Sequence, residues 1–536
     1  PVQKGLNEYL AKIPHRPTGV QSLADVIEFN RTHKESQYMG QENQIKLVLL
    51  IISWTFTHGF IRLTESEATN ENAQYKETVK WLQLKSREEG IDACLEENSL
   101  DTTTPFRQDS NAPYLSAPGL PFGIVFMGTA WSERTLIGCA YALEQQLKVR
   151  SKRKAYAAAI PRSQISATPG PERGKHAGSW MMSQYAMAST TDHDIPDLYD
   201  AEISQLKEGL QAGRFTSAQL VKAYIARINE VNENGPRLRV VLEINAAAIE
   251  QAEQLDEQRR LAQIKGEELP LLHGIPILLK DNIATKSPTG FDEKLNTTAG
   301  SFALVGCFPP EDATVAKKLR DAGAIILGKL NMSEWAHWRG KLPSGWSSRG
   351  GQCTNSFFPG ADPSGSSSGS GVAAAIGLAA GTLGSETDGT SVPTFLTPDS
   401  STITVIPISK SQDSVGPMCR TVSDTAILLQ AISGRDNSDE TTLQQPPVPD
   451  YLSALRPDFL KGVRIGVLRG YYAERAAWKE EDSEEAITAR LQAFERGLEY
   501  MKELGAELVD SVEIETVDEL VKNEDRELTI FYTEFK

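Results

Sequence analysis

Two short stretches of the chain place serine and threonine hydroxyls beside glycine-rich turns. The first is 365–371 (GSSSGSG) and the second is 384–391 (GSETDGTS). Serine and glycine at this density are also typical of a flexible linker, but 372–378 between them is apolar and rich in alanine, which indicates ordered structure. A turn, a short helix and a second turn that bring hydroxyls to one place predict a nucleophile site.

Regular helices and strands must position these hydroxyls. Helical spacing of apolar residues and capping residues predict helices at 132–147, 216–228, 313–322 and 484–504, and short apolar runs predict strands at 120–128, 240–242, 275–279, 324–327 and 463–468. Helices and strands alternate from about residue 200 onward. This alternation predicts an α/β domain, a large mixed and twisted sheet covered by helices.

The charge of the chain narrows the class of partner. Among 536 residues, 71 Asp and Glu outnumber 55 Lys and Arg, which gives a formal net charge of −16. Phosphate binding depends on clustered Lys and Arg, and the sequence contains no basic stripe. We therefore expect no nucleic-acid partner and favour a small neutral or cationic substrate.

Cysteines and apolar runs bear on the compartment. The five cysteines are odd in number, scattered and without CxxC spacing, so the sequence supports neither a disulfide framework nor a zinc site. A reducing compartment follows as an expectation, and the cytoplasm is favoured. The apolar run 47–56 is much shorter than the roughly 20 residues of a membrane-spanning helix, so we expect it to be a buried strand or helix.

Longer stretches around the hydroxyl-rich turns resemble those of a known family. They are 274–282 (GIPILLKDN), 312–331, 343–351 (PSGWSSRGG), 363–371 and 384–390. In this succession the chain resembles the amidase signature hydrolases. The resemblance implies the amidase signature fold and hydrolysis of a carboxamide C–N bond through an acyl-enzyme, with no metal or organic cofactor.

The resemblance also implies a catalytic triad of serine, cis-serine and lysine. At the matching positions Lys280 is the base, Ser366 is the relay serine that precedes a cis peptide bond, and Thr390 stands where the nucleophilic serine is expected. A lysine accepts a proton only when it is neutral, and burial at the end of an apolar strand favours the neutral amine. Ser366 then carries the proton between the nucleophile and Lys280.

The identity of the nucleophile has two alternatives. Thr390 replaces the serine of the family, or a shift of register presents Ser391; the spacing from Ser366 to Thr390 equals that from Ser367 to Ser391. The alignment favours Thr390. The chemistry favours Ser391, because the methyl group of threonine restricts χ1 and crowds an acyl intermediate.

The second glycine-rich turn supplies hydrogen-bond donors. Thr387, Asp388, Gly389 and residue 390 carry successive backbone N–H groups. A glycine-rich turn allows such groups to converge on a developing oxyanion. We therefore predict that these residues form the oxyanion hole and bind the substrate carbonyl.

The order of the family-like segments is unusual. Residues 1–164 resemble the C-terminal part of the amidase domain, 165–194 have the composition of a linker, and 195–536 resemble the N-terminal and central parts, including the catalytic core. This order predicts a circular permutation, which proteins tolerate when the joined ends lie close together at the surface. An error of gene assembly produces the same order.

Three functional hypotheses follow. The first is an amidase that acts on a small or medium amide. The segment 390–404 is shortened relative to the family, so the second is a catalytically impaired, amidase-like binding protein. The third is an amidotransferase subunit that acts on charged tRNA, which the acidic charge of the chain disfavours. The sequence leaves substrate identity and oligomeric state open.

Overall fold

The computed structural model describes residues 2–33, 80–81, 84–105, 123–165, 196–338, 342–387, 405–408, 413–439, 442–443, 445–469, 484–510 and 512–516. The α-helices in these ranges are α1 (Val2–Lys12), α2 (Leu23–Thr32), α3 (Ala93–Glu97), α4 (Glu133–Leu147), α5 (Val149–Lys152), α6 (Ile203–Gln211), α7 (Ser217–Val231), α8 (Ala248–Lys265), α9 (Thr314–Asp321), α10 (Ser368–Ile376), α11 (Val422–Ile432) and α12 (Glu484–Glu503). A π-helix covers Leu84–Asp92, and 3₁₀ turns cover Ala157–Ala159, Phe302–Leu304, Glu334–His337 and Leu452–Ala454. The strands are β1 (Thr102–Pro105), β2 (Val241–Ile244), β3 (Pro276–Lys280), β4 (Ile325–Leu330), β5 (Trp346–Ser347), β6 (Gly351–Gln352), β7 (Gly381–Glu386), β8 (Ser414–Met418), β9 (Arg464–Leu468) and β10 (Glu507–Val509).

The main sheet has five strands in the order β2, β4, β3, β7, β8. Strand β3 is parallel to β4 and to β7, while the edge strands β2 and β8 run antiparallel to their neighbours. Helices α8, α9, α10 and α11 pack on these strands. Because β3 and β4 are covered on both faces, all of their residues are buried, which explains their nearly continuous apolar sequences.

The remaining described strands form two smaller sheets. Strand β9 pairs in parallel with β1 on one side and β10 on the other, and β5 and β6 form a short antiparallel pair. The α/β class with a mixed sheet is confirmed. In the described ranges the strands form three sheets, and the five-stranded sheet is the largest of these.

The first 165 residues share hydrophobic cores with the rest of the chain. Helix α1 buries Leu6 and Leu10, and Ile13 directly after it is also buried, in a cluster with Leu304, Trp335, Met332 and Ile406; we call these residues the α1 cluster. Helix α4 packs on α12 and β9, and β1 pairs with β9 across more than 350 residues of sequence. The chain segments before and after the predicted linker therefore pack as one body.

The structure confirms the helix predicted after Thr216 but not the strand predicted at 120–128. The helix after Thr216 begins with the predicted capping box to Gln219 and extends to Val231, three residues beyond the predicted end. The predicted strand at 120–128 is wrong over its described part, where only Met127 makes a bridge, to Thr103. Of the predicted linker 165–194 only Ile165 is described, and it is buried in the main core.

The apolar run 47–56 lies outside the described residues. Among the helices that the structure describes, none combines the length and the apolar character needed to cross a membrane.

Candidate active site

Strand β3, which lies between β4 and β7, carries Lys280 to the carboxyl end of the main sheet, where its side chain is fully buried. Its Nζ lies 2.8 Å from Ser366 Oγ and 3.0 Å from the carbonyl oxygen of Ser385. The structure thus brings together two residues that are 86 positions apart and that the resemblance assigned to the base and the relay serine.

Ser366 lies in the turn that leads into α10. The peptide bond between Gly365 and Ser366 is cis. The cis bond therefore comes before Ser366, which corrects the expectation that Ser366 precedes it. The Ser366 carbonyl accepts a hydrogen bond from Ser333 N at 3.0 Å, so the turn is fixed to the segment that follows β4.

Close packing explains a glycine of the first hydroxyl-rich stretch. A Cβ at Gly369 would lie 2.5 Å from the Asn331 carbonyl oxygen and 2.7 Å from that of Val240. Gly369 N also donates to the Asn331 carbonyl at 2.9 Å. Residue 369 must be glycine because α10 begins directly against the end of β4. The stretch is therefore the start of a packed helix and not a linker.

The second hydroxyl-rich stretch is described only up to Thr387. Thr387 N donates to Glu386 Oε1 at 3.0 Å, and Thr387 Oγ1 donates to Asp413 Oδ1 at 2.6 Å. The backbone N–H of Thr387 thus donates to a carboxylate in this structure, and its role in an oxyanion hole stays a prediction.

The other residues predicted in this stretch are Asp388, Gly389, Thr390 and Ser391, and all four lie outside the described residues. The nucleophile and the remainder of the oxyanion hole stay predictions.

Two residues at the site escaped the sequence analysis. Asn282 Nδ2 donates to Ser385 Oγ at 2.8 Å, and both side chains are buried. Both residues lie inside the family-like stretches 274–282 and 384–390, but nothing in those stretches shows that they meet. The contact depends on the parallel pairing of β3 with β7, in which Leu279 lies opposite Leu383.

A buried charged group lies beside Lys280. The Asp281 carboxylate is fully buried and accepts hydrogen bonds from Thr298 Oγ1, from Gly300 N at 3.0 Å and from Arg349 at 3.4 Å. Arg349 also pairs with Glu243. Burial raises the pKa of Asp281, and Arg349 opposes that rise.

A second buried lysine lies on the next strand. Lys329 of β4 donates to the Ile283 carbonyl and to Thr297 Oγ1, and burial lowers its pKa to about 8. Lys329 pairs with Leu279, the residue before Lys280. Because side chains alternate along a strand, Lys329 and Lys280 project from opposite faces of the sheet. Only Lys280 shares a face with the hydroxyl-rich turns.

A left-handed turn packs against Gly365, the residue before the relay serine. Trp335, Ala336 and His337 have φ values of 52°, 52° and 76°, a conformation that costs roughly 1–2 kcal/mol for each L-residue other than glycine. Hydrogen bonds from Trp335 N to Ala299 O and from Trp338 N to Trp335 O, both 2.9 Å, hold the turn. A Cβ on Gly365 would lie 3.0 Å from His337 Cε1, so the imidazole covers the glycine of the cis bond.

Across the described part of the chain, no group of three or more His, Cys, Asp and Glu side chains is arranged to hold a metal ion. The five cysteines are free thiols, and four of them are buried.

Comparison with known proteins connects this geometry to a family. Residues 219–524, more than half of the chain, match the family model described as Amidase. The chain is 40% identical over 367 residues to a protein named as an amidase from Arthroderma benhamiae, which covers 62% of this chain and 58% of that protein. It is 43% identical over 304 residues to another from Arabidopsis thaliana, which covers 53% and 56%. The chain thus spans somewhat more than half the length of these curated relatives.

A solved structure gives the corresponding result for the fold. The native peptide amidase from Stenotrophomonas maltophilia superimposes with a TM-score of 0.51 at 39% sequence identity, covering 58% of this chain and 62% of that one.

Proposed function

Because the chain belongs to the amidase family, we propose that it hydrolyses the C–N bond of a carboxamide through an acyl-enzyme. The observation that carries this proposal is the hydrogen bond of 2.8 Å between Lys280 Nζ and Ser366 Oγ at the end of a buried strand. A buried amine next to a hydroxyl is the arrangement that a lysine base requires, since burial disfavours the ammonium form.

The proposed reaction proceeds in two halves. The hydroxyl of Thr390 or Ser391 attacks the amide carbonyl carbon; its proton passes to Ser366 Oγ as Ser366 gives its own proton to Lys280. The C–N bond then breaks, and the proton returns by the same route to the nitrogen, which leaves as ammonia or an amine. Water attacks the resulting ester, releases the carboxylic acid and restores the hydroxyl.

The backbone around the nucleophile completes the proposed site. The N–H groups of Asp388, Gly389 and the nucleophile itself stabilise the oxyanion of the tetrahedral intermediate. The N–H of Thr387 joins them only if the contact with Glu386 opens.

The substrate is proposed to be a small or medium amide. Among such amides the similarity to a peptide amidase favours a peptide amide. The net charge of −16 supports a neutral or cationic substrate and disfavours nucleic acid. The free cysteines support a reducing, cytoplasmic compartment.

The permuted order belongs to the same proposal. Residues 1–164 supply the C-terminal part of the amidase domain, 195–536 supply the N-terminal and central parts, and a linker within 165–194 joins them. The parallel pairing of β1 with β9 and the shared α1 cluster support this assignment, because elements far apart in sequence complete the same sheet and core.

Labelling with a fluorophosphonate, followed by peptide mass spectrometry, tests the proposed function. The reagent phosphonylates an activated serine or threonine, so we expect label on Thr390 or Ser391 in the wild type. The Lys280→Ala variant should lose the label. Lys329→Met serves as the matched control, since that buried lysine lies on the opposite face of the sheet.

The result also separates the alternatives for the function. Label on one of the two hydroxyls identifies the nucleophile. A folded wild type that takes no label contradicts the enzyme proposal and favours an amidase-like binding protein.

A further inference from the structure

The carbonyl oxygen of Ser385 accepts a hydrogen bond from the Lys280 amine, as Ser366 Oγ does. It lies 3.0 Å from Nζ, while Ser366 Oγ lies 2.8 Å away. A neutral amine has two N–H donors and one lone pair. A carbonyl oxygen can only accept, so it can bind an N–H but never the lone pair.

Because the carbonyl can only accept whereas the Ser366 hydroxyl can also donate, the two contacts favour one orientation of the neutral amine. When an N–H of the neutral amine donates to Ser385, the lone pair is free to accept the Ser366 hydroxyl proton. That orientation is the one in which Lys280 works as a base. The position of one backbone carbonyl therefore governs the alignment of the proton relay.

Side chains on both sides hold this carbonyl in place. The Ser367 hydroxyl donates to Ser385 O at 3.0 Å and accepts from Ser385 N at 3.3 Å. Asn282 Nδ2 donates to Ser385 Oγ at 2.8 Å. Asn282 is two residues beyond Lys280, so this bond ties the end of β3 to the end of β7 on the side where the amine lies.

We propose that Asn282 and the Ser385 side chain are positioning residues that fix the Ser385 carbonyl and thereby aim the Lys280 amine at Ser366. This inference rests on the proposed function, in which Lys280 is the base. Both side chains are at least nine-tenths buried, and neither is assigned contact with the reacting atoms. Their effect on the reaction passes through Lys280.

Ser385 offers the first test. Ser385→Ala removes the hydroxyl that Asn282 binds, and the loss of alignment should lower both the fluorophosphonate labelling rate and kcat by roughly 10–100-fold, with KM little changed. Ser385→Thr keeps the hydroxyl on a strand that accommodates β-branched residues, and it should recover most of the rate.

A control on the same strand separates positioning from folding. Thr382→Val removes a buried hydroxyl of β7 that donates to the Met418 carbonyl at 2.9 Å and makes no hydrogen bond to Lys280, Ser366 or Ser385. This variant should lose stability but keep the labelling rate and kcat of the wild type. If Ser385→Ala behaves in the same way as Thr382→Val, the positioning proposal is overturned.

Asn282 offers a test through the pH profile of kcat/KM, which a residue with a merely structural role would not shift. Asn282→Asp nearly preserves shape but adds a carboxylate close to the amine, and a nearby negative charge favours the protonated lysine. The acidic limb of the pH profile for kcat/KM should move to higher pH. Asn282→Ala should lower the rate without that move.

The outcomes distinguish this inference from the proposed function. A wild-type enzyme with Lys280-dependent labelling, but with the same acidic limb in Asn282→Asp, overturns the positioning role and leaves the amidase proposal intact. A wild type without Lys280-dependent labelling overturns both. If Ser385→Ala fails to fold, the pH profile of Asn282→Asp decides the question.

Discussion

At the residue scale, the charges behind Lys280 balance one another. Asp281 and Glu243 supply two carboxylates, and Arg349 bridges them. Lys329 supplies the second cation. Burial raises the pKa of Asp281 and lowers that of Lys329, so both shifts favour the neutral forms. Arg349 is the cation that pairs with both carboxylates of this cluster, so the cluster should depend on it most.

Replacement of Arg349 by methionine should destabilise the protein strongly. The change leaves two partly or fully buried carboxylates without their shared cation, and breaking a buried ion pair costs about 3–5 kcal/mol. Urea denaturation monitored by far-UV circular dichroism measures the change in the free energy of unfolding. Arg260→Met is the control, because Arg260 and Glu257 form an exposed pair on α8 and the change should have little effect. Equal effects of the two changes would contradict the proposed dependence.

At the element scale, helix α10 is fixed at both ends. Its first turn carries the residues next to Ser366, and its last turn is capped by Gly377 in the left-handed conformation. Arg227, which is fully buried, donates to the carbonyls of Ile376 and Gly377 at 3.0 and 2.8 Å and to those of Pro161 and Ser163. A guanidinium near a helix C-terminus also interacts favourably with the helix dipole. Helix α10, which begins just after the relay serine, is thereby anchored to distant segments.

Gly377→Ala should cost far more stability than Gly266→Ala. Both glycines cap helices, with φ values of 66° at Gly377 and 69° at Gly266. The left-handed conformation therefore costs alanine a similar free energy, roughly 1–2 kcal/mol, at each position. A Cβ at Gly377 would lie 2.2 Å from the Leu198 carbonyl oxygen, whereas nothing lies within 4 Å at Gly266. We expect a loss of about 3 kcal/mol or more at Gly377. Urea denaturation of the two variants checks this difference, and equal losses would contradict it.

The elements show how far sequence reasoning reaches. Helix α7 was predictable because its capping residues and apolar spacing are both local signals. The strand predicted at 120–128 is absent from 123–128 because Ile124 and Phe126 pack against α4 and α12 without pairing as a strand. Apolar residues report burial, and they do not report which backbone groups form hydrogen bonds.

The same limit applies to the candidate site. Lys280 and Ser366, which lie 2.8 Å apart, could be proposed from the sequence because each lies in a family-like stretch with its own pattern. The contact of Asn282 with Ser385 joins residues 103 positions apart. It arises only when β3 and β7 become neighbours in the sheet, and no local pattern encodes that pairing.

At the scale of the whole molecule, the α1 cluster joins the first part of the chain to the segments around the candidate site. Leu10→Ala should therefore destabilise more than helix α1. Leu10 is fully buried, and removing its side chain costs about 2–5 kcal/mol. Hydrogen exchange measured by mass spectrometry should show faster exchange in peptides that cover 299–307 and 332–338. Val149→Ala, at a residue that is 51% exposed, is the control. Faster exchange confined to α1 itself would contradict the shared core.

A second contact between the two parts of the chain, that of Glu144 with α11, should make the free energy of unfolding depend on pH. Glu144 of α4 accepts hydrogen bonds from Val422 N at the start of α11, and burial raises its pKa to about 7, with nearby Asp424 adding to the rise. A carboxyl group with a raised pKa binds more protons in the folded state, so its contribution to stability is complete below pH 4 and is lost as the pH rises through about 7. Glu144→Gln replaces the group with a neutral one that resembles the protonated acid. The free energy of unfolding of Glu144→Gln relative to the wild type should therefore increase between about pH 5 and pH 7 and level off at higher pH, measured by urea denaturation at each pH. A difference that stays constant over this range would show that Glu144 is not held in a desolvated position between α4 and α11.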